Sequence, residues 1–122
     1  MTMSKEAVKD KMKDGNVVLL NVLSESEFGK LHIVGSENFP LGANNDEFAE
    51  AVEKKYGKDK FFITYCASLT CDAGPKAARI LQNKGLKAND YAGGIKEWAE
   101  AGFPTEGTDA PKTPAAATPA SN

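Results

Sequence analysis

Phe61-Phe62-Ile63-Thr64-Tyr65-Cys66-Ala67-Ser68-Leu69-Thr70-Cys71-Asp72-Ala73-Gly74-Pro75-Lys76 carries an apolar run, a short loop and the opening of a helical pattern in immediate succession. The run Phe61 to Tyr65 reads as a strand, and the cysteine that ends it sits at a strand-to-helix turn. Backbone N–H groups of a turn and of a helix's first turn have no internal partners, so they converge on an anion placed there. The same field favours thiolate over thiol. Against this stands the plainer reading of Cys66 as a buried small hydrophobe, which is what most free cysteines are.

Working outward, Pro75 to Lys84 continues the helix and Gly85 closes it. Toward the N-terminus, Asn45 to Tyr56 places Phe48, Ala49, Val52 and Tyr56 at helical spacing before Gly57. Val17 to Asn21 is an apolar run expected to be a parallel strand buried on both faces. Residues 4–13 read as an amphipathic helix capped by Ser4, and Ser24 with Glu27 forms a capping box that announces a short helix. Toward the C-terminus, Asn89 to Ala92 is a weaker strand ahead of Gly93-Gly94, and Ile95 to Ala101 a last helix ended by Gly102 and Pro104. Strands alternating with helices imply a mainly parallel α/β sheet.

The chain has 122 residues, enough for one core without disulfide staples. With 41% hydrophobic and 26% charged residues it reads as soluble and globular. A net charge of −2 argues against nucleic acid or an anionic membrane as the main partner. Apolar stretches such as Val17-Val18-Leu19-Leu20 are too short for membrane insertion. The N-terminus runs straight into charged residues without an apolar signal core, so the expectation is cytoplasmic; a mature exported form would look the same. Beyond Thr105 no large apolar residue occurs, and such a composition cannot offset the entropy of ordering. The expected division is therefore a folded domain over residues 4–105 and a flexible Pro/Ala/Thr-rich tail over 106–122. Two cysteines and one histidine, His32, do not make a zinc site, which leaves a redox or sulfur role as the sharper option.

Four segments now coincide in order: Val18-Leu19-Leu20-Asn21-Val22, Leu31-His32-Ile33-Val34-Gly35-Ser36, Thr64-Tyr65-Cys66-Ala67-Ser68, and Tyr91-Ala92-Gly93-Gly94-Ile95-Lys96-Glu97-Trp98 with Gly102-Phe103-Pro104. Together they resemble the single-domain rhodanese (sulfurtransferase) family over about residues 5–105. The resemblance implies a parallel sheet flanked by helices on both faces, with a catalytic cysteine, matching Cys66, at the base of a loop cradle. It implies a ping-pong cycle in which the thiolate takes sulfane sulfur as a persulfide and yields it to a second nucleophile. Its partners would be a small sulfur donor (polysulfide, persulfide or thiosulfate) and a thiol acceptor, with a protein donor or acceptor as a further option. No cofactor and no metal are implied. The persulfide-binding loop would be Ala67, Ser68, Leu69, Thr70 and Asp72, with inward amides from residues 67–72 stabilising the sulfur anion.

Three departures from the family pattern stand out. Family members usually carry Asp and Arg where this chain has Asn21 and Leu23; because both charges are absent together, no unpaired buried charge remains. The loop holds no Lys or Arg, and Asp72 opposes a dianion approaching Cys66, so polysulfide, a low-molecular-weight persulfide or a protein donor is expected over thiosulfate. Lys76 and Arg79 on the following helix would compensate only in part. Cys71 closes the loop where the family more often has Arg, Ser or Thr. It reads either as a small residue in a tight turn or as a resolving cysteine able to form a disulfide with Cys66.

His32, in a family structural segment, reads as a hydrogen-bonded core or turn residue rather than a catalytic base, and Trp98 as core packing whose indole N–H needs a partner. Gly93-Gly94 would let backbone approach the cysteine loop closely. Ser68 and Thr70 offer hydroxyls to a bound sulfur anion, although solvation explains them equally. Of the rival functions, a Cys-x5-Arg phosphatase is contradicted by Asp72 in the arginine position. A Cys66/Cys71 thiol-disulfide redox module and a non-catalytic rhodanese-like binding domain remain as alternatives.

Overall fold

The computed structural model describes residues 3–42, 44–68 and 70–109. Its elements follow the alternation expected: α1 (Lys5–Lys11), β1 (Val17–Asn21), α2 (Glu25–Lys30), β2 (His32–Ile33), β3 (Glu37–Asn38), α3 (Asn45–Tyr56), β4 (Phe61–Tyr65), α4 (Ala73–Asn83), β5 (Lys87–Tyr91), α5 (Gly94–Glu100) and β6 (Thr105–Glu106). The helix starts are fixed by their caps. The Ser4 hydroxyl accepts from the Ala7 amide at 3.1 Å, the Ser24 hydroxyl from Glu27 at 3.2 Å, and the Asn44 side chain from Glu47 at 3.0 Å, each satisfying an amide the helix cannot.

Four strands form one parallel sheet in the order β3-β1-β4-β5, with Leu19 opposite Ile63 and Ile63 opposite Asn89. The β4 strand is therefore central, hydrogen-bonded on both sides, and the residue that leaves its carboxyl end is Cys66. A second, two-stranded antiparallel pair joins β2 to β6. Pairing and capping continue the chain as far as Asp109, whose amide donates to the Lys30 carbonyl at 2.8 Å. Residues 106–109, expected to begin the tail, are thus hydrogen-bonded to the domain, and residues 110–122 lie outside the described residues.

Strand side chains alternate between two cores. Leu19, Ile63, Tyr65 and Tyr91 pack with Val8 of α1 and with Ile95 and Trp98 of α5; Leu20, Phe62 and Ala88 pack with Phe48 and Val52 of α3 and with Ala77 and Leu81 of α4. Helices thus cover both faces of the sheet. By the same alternation Cys66 follows Phe62 and Thr64 onto the α3–α4 face, toward the start of α4. Trp98 is buried, and its indole N–H donates to the Pro104 carbonyl at 2.7 Å.

The α4 helix begins at Ala73, ahead of the expected Pro75, which occupies a first-turn position where a missing N–H costs nothing. The β5 strand begins at Lys87 rather than Asn89; it is an edge strand whose polar residues, exposed Lys87, half-buried Asn89 and buried Asp90, blur the hydrophobic signal. Among the described residues no helix is long and apolar enough to cross a membrane.

Candidate active site

Cys66 is drawn into the end of α4. The Gly74 amide donates to Cys66 Sγ at 3.4 Å, and Thr64, buried on the same face of β4, donates its hydroxyl to the Gly74 carbonyl at 2.7 Å. One strand residue thus holds the carbonyl of Gly74, the residue whose own N–H meets the sulfur of the next residue on that face. Of the amides at residues 67–72 expected to form a cradle, that of Cys71 is spent on the Ser68 carbonyl at 3.0 Å, and an amide outside that stretch, Gly74, is directed at the sulfur. A Cβ at Gly74 would meet Sγ at 3.6 Å, an ordinary contact, so the glycine itself did not mark this amide.

The loop is fastened from its other side by α5. The Ile95 amide donates to the Cys66 carbonyl at 3.0 Å and the Lys96 amide to the Ala67 carbonyl at 2.9 Å. Gly94 makes this contact possible: at φ 68°, a Cβ would stand 2.6 Å from the Cys66 carbonyl oxygen and 2.7 Å from the Ala67 carbonyl carbon. The close approach expected of the Gly93-Gly94 pair is therefore made at Gly94.

Cys66 and Cys71 are joined by a disulfide, with their Cα atoms 6.4 Å apart. Cys66 Sγ also lies 3.4 Å from the Cys71 carbonyl oxygen. Ser68 and Thr70, whose hydroxyls are 3.0 Å apart, line a cavity of about 370 Å³ together with Gly93, Lys96, Glu97 and Glu100. Asp72 occupies the N-cap position of α4, exposed and without a capping hydrogen bond from its side chain. Leu69 lies outside the described residues. Lys76 and Arg79 are exposed on α4. The cation lining the cavity is Lys96, whose Nζ is 2.7 Å from Glu100 Oε2. Nothing in its own sequence neighbourhood marked Lys96, because α5 reaches the loop only through the fold.

His32 is held elsewhere. Its Nδ1 is 2.7 Å from the Phe28 carbonyl, its Nε2 3.2 Å from Glu106 Oε1, and its ring stacks on Phe28. His32 is thus hydrogen-bonded and structural, as the sequence suggested, although it sits in β2 and not in a turn. Asn21 is fully buried: its Nδ2 donates to the Tyr65 hydroxyl at 3.0 Å and its Oδ1 accepts from the Leu23 amide at 2.9 Å. The Tyr65 hydroxyl also accepts from the Ile33 amide at 3.0 Å and donates to Ser36 Oγ at 2.7 Å, which in turn donates to the Ile33 carbonyl. Burial pushes the Tyr65 phenol above its ordinary range, with Ser36, Ile33 and Asn21 opposing that push. The network around Asn21 and Tyr65 is built from uncharged groups alone. Among the described residues no group of three or more His, Cys, Asp or Glu could hold a metal.

A parallel sheet covered on both faces, with a cysteine loop at the carboxyl end of its central strand and a Gly-Gly-started helix bracing that loop, is the α/β arrangement that the resemblance implied. The chain belongs to the rhodanese family: residues 4–101 match the family model described as a rhodanese-like domain. It is 33% identical over 98 residues to the thiosulfate:glutathione sulfurtransferase of Saccharomyces cerevisiae, covering 73% of this chain and 69% of that one. It is 30% identical over 92 residues to an HTH-type transcriptional regulator of Mycobacterium tuberculosis, covering 75% of this chain but only 38% of the regulator. Among solved structures it is similar to the human single-domain sulfurtransferase, with a TM-score of 0.65 at 23% identity over 81% of this chain and 95% of that one. It is also similar to the rhodanese-like domain of an Anabaena protein, with a TM-score of 0.75 at 21% identity over 93% of this chain and 83% of that one. These two likenesses concern the fold.

Proposed function

We propose that this protein is a sulfurtransferase or sulfur carrier in which Cys66 accepts sulfane sulfur as a persulfide and passes it to a thiol or another nucleophile. The observation that carries the reading is the Gly74 amide on Cys66 Sγ at 3.4 Å, at the start of an eleven-residue helix. An N–H aimed at sulfur from a helix's first turn stabilises the attacking thiolate and the persulfide anion alike. Ala67, Ser68, Thr70 and Asp72 belong to the surrounding loop, and the hydroxyl-lined cavity beside it has room for a small donor or acceptor. A cytoplasmic setting, where thiols are kept reduced, suits this cycle.

The yeast relative is named for thiosulfate and glutathione. For this chain the donor we favour is a polysulfide, an organic persulfide or a protein persulfide. Thiosulfate is a dianion, the loop offers it no Lys or Arg, Asp72 is close in sequence to the sulfur, and Lys96 is already paired with Glu100 at 2.7 Å. After reduction and exposure to polysulfide, the Cys66 peptide of a Cys71→Ser variant should gain about 32 Da, and adding Cys66→Ala should abolish the gain. An unmodified Cys66 would instead favour a non-catalytic binding domain. Turnover of thiosulfate equal to that of polysulfide would overturn the donor preference. A second reading, a thiol-disulfide redox module, is favoured by the disulfide between Cys66 and Cys71.

A further inference from the structure

The two sulfurs of the disulfide stand in different surroundings. Cys66 is only 3% exposed and receives the Gly74 amide. Cys71 is half-buried, set between exposed Thr70 and exposed Asp72 at the outer end of the loop. Their Cα separation of 6.4 Å falls within the roughly 4.4–6.8 Å that disulfides span. Neither half of the loop has to leave its fastenings for the bond to form: the Cys66 and Ala67 carbonyls stay on α5, and the Cys71 amide stays on the Ser68 carbonyl.

We propose that Cys71 is a second catalytic residue that converts the persulfide into free sulfide, making this protein a persulfide reductase fed by a dithiol. The proposal rests on Cys66 taking up sulfur as a persulfide. In the first step the Cys71 thiolate attacks Cys66 Sγ. The Cys66–Cys71 bond forms, the bond from Cys66 Sγ to the outer sulfur breaks, and that sulfur leaves with the bonding pair. It takes up the proton released by Cys71 and departs as hydrosulfide. The sulfane sulfur is reduced by two electrons, and the two cysteines are oxidised to the disulfide. A thiol held in the same loop competes at an effective concentration well above that of a dilute external acceptor.

In the second step a dithiol reopens the bond. Access directs its first thiolate to Cys71, and Cys66 departs as a thiolate met by the Gly74 amide; exchange is faster at the reachable sulfur and with the better-stabilised leaving thiol. The dithiol's second thiolate then attacks the mixed disulfide, releasing Cys71. One dithiol becomes one disulfide, and both cysteines return reduced. The transferase cycle and the reductase cycle thus share Cys66 and diverge at whether an outside nucleophile or Cys71 arrives first.

The test loads reduced, desalted protein anaerobically with one equivalent of cysteine persulfide, removes the small molecules, and follows intact mass, peptide masses and sulfide. Wild type should pass through a form about 32 Da heavier at Cys66 and end about 2 Da lighter than the reduced protein, with one equivalent of sulfide. Cys71→Ser and Cys71→Ala, two replacements that guard against a folding defect in either, should keep the added sulfur until a dithiol is supplied. Wild type that retains the added sulfur with Cys71 as a free thiol overturns the proposal, as does equal sulfide release from all three proteins. Failure of both Cys71 variants to gain mass defeats the Cys66 persulfide reading itself, and this proposal with it. Limiting β-mercaptoethanol with iodoacetamide present should leave its adduct on Cys71 and the alkyl group on Cys66; the reverse placement overturns the order of reduction.

Discussion

Thr64 never touches the sulfur, yet the geometry makes it the residue that aims the Gly74 amide. Its hydroxyl is buried and donates to the Gly74 carbonyl at 2.7 Å, fixing the plane of the first turn of α4 against the carboxyl end of β4. Replacement by valine keeps the shape and removes the hydrogen bond, at a cost of about 1 kcal/mol, which lowers Tm by about 4 °C in a domain of this size. If Thr64 positions the amide, Thr64→Val slows persulfide formation on Cys66 by several-fold at a temperature where the variant is fully folded. An unchanged loading rate alongside the lowered Tm would reduce Thr64 to a packing role. Cys71 illustrates the same point from the other side: its distance from Cys66 in sequence is fixed, but only the curl of the loop decides whether the two sulfurs meet.

At the level of elements, α5 acts as a brace. Gly94 lets its first amides bind the Cys66 and Ala67 carbonyls, so Gly94→Ala combines a left-handed backbone strain with a Cβ pressed to within 2.6 Å of backbone. A loss of at least about 2 kcal/mol follows, together with loss of sulfur loading as the loop moves; a melt within 1 °C of wild type would show that the brace is dispensable. Much of this arrangement was legible beforehand. The run Phe61 to Tyr65 gave β4, the Ser24–Glu27 spacing gave the start of α2, and the Gly-Gly pair marked a close approach. What was not legible depends on partners far away in sequence. The two-residue strands β2 and β6 exist only because His32 pairs with Glu106 and Ile33 with Thr105, and strands so short carry no periodicity. The Gly74 amide and the Lys96 side chain were missed for the same reason, since local pattern does not say which turn of a helix meets a loop.

Over the whole molecule, the main sheet is tied to the second, two-stranded pair through a polar hub at Tyr65, which joins β4 to β1 through Asn21 and to β2 and the turn after it through Ile33 and Ser36. Burial raises the folded phenol above its ordinary value, so the unfolded chain loses that proton first as pH rises. The contribution is therefore complete below about pH 10 and fades above it, by about 1.4 kcal/mol per pH unit until the folded value is reached. Tyr65→Phe should destabilise the protein by about 2 kcal/mol at pH 7 by stranding the Ile33 amide and the Asn21 side chain. The gap between variant and wild type in urea midpoint should narrow at pH 11, and a gap equal at both pH values would sink the assignment. The sulfur loop itself is secured in another manner. Its anchors to α5, and the turn between Ser68 and Cys71, use main-chain atoms, with one side-chain hydrogen bond between Ser68 and Thr70 added on the loop's outer part. That reliance on backbone makes the domain a chassis for redesign: lysine or arginine written into Ser68 or Thr70 gives up only the hydroxyl pair between them and recruits more highly charged donors, while the main-chain anchors to α5 remain.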